Sequence, residues 1–146
     1  MSTPPGRWRG ARLSTTTTGS PEQILRIREK ATIETLEKLR IVQEILREKK
    51  AEDVEVIEVG TRTLIADYFV IASGTSNTHI RAIADGLVID GKHRGLKKDR
   101  VEGYKEARWV LVDYGDIVVH IFAPEERAYY DIESLWRETA IKLGSS

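Results

Sequence analysis

The stretch from Ala107 to Phe122, Ala-Arg-Trp-Val-Leu-Val-Asp-Tyr-Gly-Asp-Ile-Val-Val-His-Ile-Phe, constrains this chain more than any other. Two β-rich runs meet at a tight turn, which predicts a hairpin. With Tyr114 and Gly115 as the loop, Arg108 faces Ile121, Trp109 faces His120, Leu111 faces Val118 and Asp113 faces Asp116. A type I′ turn prefers Asn or Asp before Gly, so a three-residue loop, with Trp109 opposite Ile121, stays open. Side chains alternate between the faces of a strand. One face then carries Val110, Val112, Ile117, Val119 and Ile121, and is core. The other carries Trp109, Leu111 and Val118 ringed by Asp113, Asp116 and His120. An apolar centre anchored by Trp within a polar rim has the make-up of a protein-binding surface. This reading expects the indole of Trp109 to face solvent.

The remaining pattern alternates helix and strand. Ser20-Pro21-Glu22-Gln23 is a helix start, with Ser20 as cap, Pro21 at the first helical position and Gln23 closing a capping box. Leu36, Leu39, Val42, Ile45 and Leu46 share one helical face up to about Lys49. Such a helix would be about 40 Å long, so a break near Ala31-Thr32 is anticipated. Val54–Val59 and Asp67–Ala72 read as strands, the second apolar on both faces and therefore central. Ser73-Gly74-Thr75-Ser76 leads into a helix from Asn77 towards Lys92, ended by Gly95. A strand near Arg100–Gly103 precedes the hairpin, and a last helix spans about Ile132–Leu143, packed on the sheet through Tyr130, Ile132, Leu135 and Trp136. The expected fold is α/β, a single domain with a mixed five-stranded sheet flanked by helices. The step from Asp67 to Gly103 implies a parallel pair.

Charge narrows the partners. Net charge is zero over 146 residues, but residues 99–133 hold 4 basic and 9 acidic side chains, a balance of −5. A surface of that sign attracts basic partners and repels phosphate, so no direct specific nucleic-acid binding is expected. No apolar run approaches the roughly 18 residues a membrane span needs. Cysteine is absent, which removes disulfides and thiolate metal sites. His79, His93 and His120 lack metal-ligand spacing, and no metal or other cofactor is expected. The turn Ser73–Ser76 could cradle phosphate but matches no phosphate-loop motif, and a capped helix start explains it more simply. Asp113 and Asp116 could form a carboxylate pair for metal-assisted catalysis, but a negative rim suits them better. Residues 1–19 are rich in Thr, Ser, Pro and Gly, with Arg7, Arg9 and Arg12 and no acid. They read as a disordered leader of a bacterial cytoplasmic chain or as a mitochondrial or chloroplast transit peptide. The folded domain is expected over residues 20–143.

Several segments together resemble one family. They are Asp67-Tyr68-Phe69-Val70-Ile71-Ala72-Ser73-Gly74, Ala82-Ile83-Ala84-Asp85, Glu102-Gly103, the run from Trp109 to Phe122, and Arg127 followed by Tyr130-Asp131-Ile132-Glu133 and Leu135-Trp136. They resemble the Iojap-like ribosomal silencing factors, over roughly residues 33–140. The resemblance implies a nucleotidyltransferase-like fold without the catalytic acids, and no enzymatic activity. It implies binding to a basic protein on the intersubunit face of the large ribosomal subunit, where bulk blocks the small subunit and represses translation in starvation. Organelle relatives act in large-subunit assembly. The family's partner-binding surface maps onto Trp109, Leu111, Asp113, Asp116 and His120, with Glu102, Tyr104, Lys105 and Tyr114 as neighbours. On this reading Trp109→Ala leaves the fold intact and abolishes co-sedimentation with large subunits. A homodimer through the same face, and a degenerate nucleotidyltransferase-like enzyme, are the competing readings. Thr78-His79-Ile80-Arg81 and the glycine-bearing Leu87–His93 depart from the family pattern and put the end of the second helix in question.

Overall fold

A computed structural model describes residues 20–60 and 66–136. Helix α1 (Pro21–Glu48) begins at the capping box: Ser20 Oγ accepts from the Gln23 N–H at 3.2 Å, and Gln23 Oε1 accepts from the Ser20 N–H at 3.0 Å. It runs unbroken through Ala31-Thr32, contrary to the expected break. Leu39, Val42, Ile45 and Leu46 are buried as the periodicity requires, whereas Leu36 is exposed. Strands β1 (Glu52–Glu58) and β2 (Tyr68–Ser73) follow, then α2 (Asn77–His93), β3 (Arg100–Glu102), β4 (Trp109–Asp113), β5 (Ile117–Phe122) and the short α3 (Pro124–Tyr130). Helical backbone resumes over residues 132–136; the rest of the predicted last helix, like residues 1–19, lies outside the described residues.

The sheet order is β1-β2-β5-β4-β3. Only β2 and β5 pair in parallel; the other neighbours are antiparallel. The expected parallel partnership between β2 and β3 is thus indirect, because the hairpin inserts β5 and β4 between them. On one sheet face α1 and α2 bury Val70, Ala72, Val110, Val112, Ile117, Val119 and Ile121. Of that set, the hairpin residues are those that alternation assigned to the core.

The hairpin register differs from both predicted registers. Trp109 pairs with Phe122, Leu111 with His120 and Asp113 with Val118. The Tyr114 N–H donates to the Ile117 carbonyl at 2.9 Å, so the loop residues are Gly115 and Asp116. Gly115 has φ +92° and Asp116 has no positive φ, the pattern of a type II′ turn with glycine first. Asp113 Oδ1 also accepts from the Gly115 N–H at 2.7 Å. The shift from the two-residue prediction is two residues, so every side chain on the strands keeps its face.

Gly103 lies between β3 and β4 at φ +79°, and a Cβ there would sit 2.1 Å from the Trp109 carbonyl oxygen. Gly95 ends α2 at φ +92° with nothing within 4 Å of a Cβ. Gly95→Ala is therefore expected to lower stability by about 1–2 kcal/mol through backbone strain alone. Gly103→Ala must also move a strand and is expected to cost clearly more in urea denaturation. The departures noted in α2 do not shorten it. Ser76 Oγ accepts from the His79 N–H at 3.0 Å, and Gly91 packs beside Leu96 and the Tyr114 hydroxyl.

Candidate partner-binding face

The face opposite α1 and α2 can be laid out from the strand registers. One row across the sheet runs Glu102, Leu111, His120, Ile71, Glu55; the next runs Arg100, Asp113, Val118, Phe69, Ile57. Both rows have a buried middle, and the first has a carboxylate at each end. Trp109 and Phe122 form a third pair beside the first row.

This face is covered at one end, which overturns the expected exposure of its anchor. Trp109 is 5% exposed, and Leu111 and His120 are fully buried. The indole stacks on Phe122 with centroids 4.7 Å apart and meets Tyr130 at 4.8 Å. Trp136 closes edge-on over Phe69 at 5.4 Å. Tyr130, Ile132 and Trp136 pack against this second cluster, as anticipated for the chain's end, while Leu135 is 60% exposed and Tyr129 67%. Arg127 ties the covering segment down. Its Nη1 donates to Ser73 Oγ at 2.8 Å, its Nε donates to Glu133 Oε1 at 3.1 Å, and its Nη2 lies 3.9 Å from Glu55. Arg108 pairs with Glu126 on the same side. The signal available in sequence was Arg127 placed six residues before Glu133, with an aromatic pair between them.

His120 is held neutral. The indole N–H of Trp109 donates to Nδ1 at 3.1 Å, and a Trp nitrogen can only donate, so the imidazole proton resides on Nε2. Burial drives its pKa down from 6.5 to about 3.

The remaining predicted site residues divide between two faces. Asp113 and Glu102 lie with Leu111 on the Trp109 side. Arg100 Nε donates to Asp113 Oδ2 at 3.2 Å, and Arg100 Nη1 is 3.9 Å from Glu102. Among the described residues, Arg100 Nη2 and Glu102 Oε2 have no hydrogen-bond partner. Asp116 does not join this rim. As the second turn residue it swings to α1, where Thr35 Oγ1 donates to it at 2.7 Å and Lys38 Nζ at 3.3 Å. Its carbonyl accepts from the N–H groups of Asp67 and Tyr68. The suggested Asp113–Asp116 carboxylate pair is therefore split across the sheet. Tyr114 is core on the helix side; its hydroxyl donates to the Leu87 carbonyl at 2.7 Å, and burial raises the phenol pKa. Tyr104 and Lys105 lie exposed in the β3–β4 connection next to α2, where Tyr104 donates to Asp85 and the Lys105 carbonyl accepts from Arg81.

The polar groups of the Ser73–Ser76 turn are engaged within the chain. The Gly74 N–H donates to the Phe122 carbonyl, Thr75 N–H to His79 Nδ1, and Ser73 Oγ accepts from Arg127.

This sheet, with helices on one side and a short cap on the other, defines a single α/β domain. Residues 32–145 match the family model described as "Ribosomal silencing factor during starvation". A "Ribosomal silencing factor RsfS" from Halalkalibacterium halodurans is 44% identical over 100 residues, covering 68% of this chain and 86% of that protein. The mouse "Mitochondrial assembly of ribosomal large subunit protein 1" is 40% identical over 95 residues, covering 63% of this chain and 42% of that protein. A crystal structure of a Chromobacterium violaceum protein superposes with a TM-score of 0.68 at 35% identity, covering 69% of this chain and 84% of that one. The chain belongs to the RsfS family of ribosomal silencing factors.

Proposed function

We propose that this chain docks on a basic protein of the large ribosomal subunit through the open edge of the sheet at β3 and β4, and that its bulk then keeps the small subunit away. The observation that carries this reading is the Glu102–Arg100–Asp113 cluster. It joins β3, which among the described residues pairs only with β4, to Asp113 at the end of β4, and it keeps a carboxylate oxygen and a guanidinium nitrogen without a hydrogen bond among the described residues. A buried polar atom without a partner costs free energy until one arrives, and a Lys or Arg from outside would satisfy Glu102. Glu102, Tyr104, Lys105 and Asp113 then form the contact. Trp109, Leu111 and His120 act as positioning residues: they are the buried neighbours of Glu102 and Asp113 on the same sheet face. The name of the mouse relative favours a second role on the same surface, assembly of the large subunit, which needs the same docking.

The test is a double variant, Glu102→Arg with Tyr104→Ala, in co-sedimentation with large subunits and in subunit joining. Reversing a charge that faces a basic partner and removing an aromatic contact is expected to weaken binding about thirtyfold, corresponding to about 2 kcal/mol, and to restore joining. Thermal melting near that of the parent confirms that the fold survives. Full-strength binding by a folded double variant rejects this edge as the docking surface.

A further inference from the structure

We infer that the corner following α2, built from Lys92, Lys97 and Lys98, grips the phosphate backbone of large-subunit RNA while the acidic edge engages protein. The inference rests on the docking proposed above and gives that contact a second half. The zero net charge of the whole chain hides this corner: Lys92, His93, Arg94, Lys97 and Lys98 fall within seven positions that contain no acid. All five are exposed. Arg94 is neutralised by Glu44 at 2.6 Å. Lys92, Lys97 and Lys98 make no ion pair among the described residues. Lys92 and His93 complement the negative end of the α2 dipole. Lys97 and Lys98 lie beyond the left-handed Gly95, so helix capping does not account for them.

Lys92, Lys97 and Lys98 line a groove of about 360 Å³ together with Val88, Gly95 and Leu96. It continues through Val88 and Lys98 into a second groove of about 430 Å³ that includes Val101 and Tyr104. Apolar stems resting on an apolar floor leave the ammonium groups at the rim. Tyr104 links this corner to the proposed docking edge, and Lys98 stands two residues before Arg100 of the acid–base cluster. A partner seated on Glu102 meets Tyr104 further along the chain, Tyr104 shares a groove with Lys98, and Lys98 shares the adjoining groove with Lys92 and Lys97. On a subunit built largely of RNA, the group that complements them is the phosphodiester. Each phosphate contact releases counterions, which makes binding steeply salt-dependent.

The experiment uses the full chain and salt-washed large subunits, with affinity measured against potassium chloride concentration. The triple variant Lys92→Gln, Lys97→Gln, Lys98→Gln is expected to flatten the slope of log affinity against log salt by about 2, from roughly 0.7 for each of three contacts. The matching Lys→Arg triple is expected to keep the parental slope. An unchanged slope overturns the inference, whether or not affinity falls; lost affinity at constant slope assigns the lysines to a protein contact instead. Because Glu102→Arg with Tyr104→Ala is measured in parallel, failure of the phosphate contact is distinguished from failure of the docking edge.

Discussion

Trp109→Ala is expected to destabilise the protein by about 3–5 kcal/mol, the range for removing a large aromatic side chain from a packed core. The indole is almost entirely enclosed, stacked on Phe122 and covered by Tyr130. Its loss also removes the hydrogen bond that the indole N–H donates to His120 Nδ1. For a domain of this size that corresponds to a melting midpoint about 10–20 °C lower. Urea denaturation with unchanged m measures it directly. The sequence reading expected an intact fold and lost docking; the structure reverses the order, so a loss of ribosome binding by this variant reports unfolding unless melting is checked alongside. A midpoint within a degree or two of the parent contradicts the packing described for this end of the sheet. Trp109→Phe keeps the stacking and deletes the N–H, and separates the two contributions.

Acid is expected to weaken the fold through His120. Its pKa is about 3 in the folded chain against 6.5 for the unperturbed group. Below pH 6.5 the unfolded chain therefore binds a proton that the folded chain refuses, so stability is full above that pH and is lost as pH falls towards 3. Each unit in that window costs about 1.4 kcal/mol, giving about 2 kcal/mol between pH 7 and pH 5. Replacement by Asn retains an acceptor and cannot titrate, so the slope of stability with pH over this window is expected to flatten in His120→Asn. An equal slope in parent and variant assigns the acid sensitivity elsewhere.

The sheet was legible because its information is periodic. Val110, Val112, Val119 and Ile121 alternate with Trp109, Leu111, Val118 and His120, and a period of two survives an error of two in the register. That is why alternation assigns the faces correctly although the hairpin turns at Gly115-Asp116, one step beyond Tyr114-Gly115: Gly115 opens a type II′ loop. Asp116 was misplaced for the same reason, since a turn residue follows no strand alternation. The exposure of Trp109 was misread because alternation says which residues share a face and nothing about what lies over it. Arg127 reaches Ser73 across 54 positions, and such a contact leaves no local periodicity. The polar edge was partly visible as the acidic run of residues 99–133. The lysine corner is hidden by the zero net charge of the chain as a whole.

Among the described residues the last strand to be made, β5, is also the middle one, flanked by β2 and β4. While a nascent chain is still short of residue 117, its two pairs of strands have no bridge between them, and neither half can assemble the shared core. Folding must wait for distant partners, which is expected to slow it. Chains that end before residue 117 are therefore expected to lack an assembled β3–β4 edge.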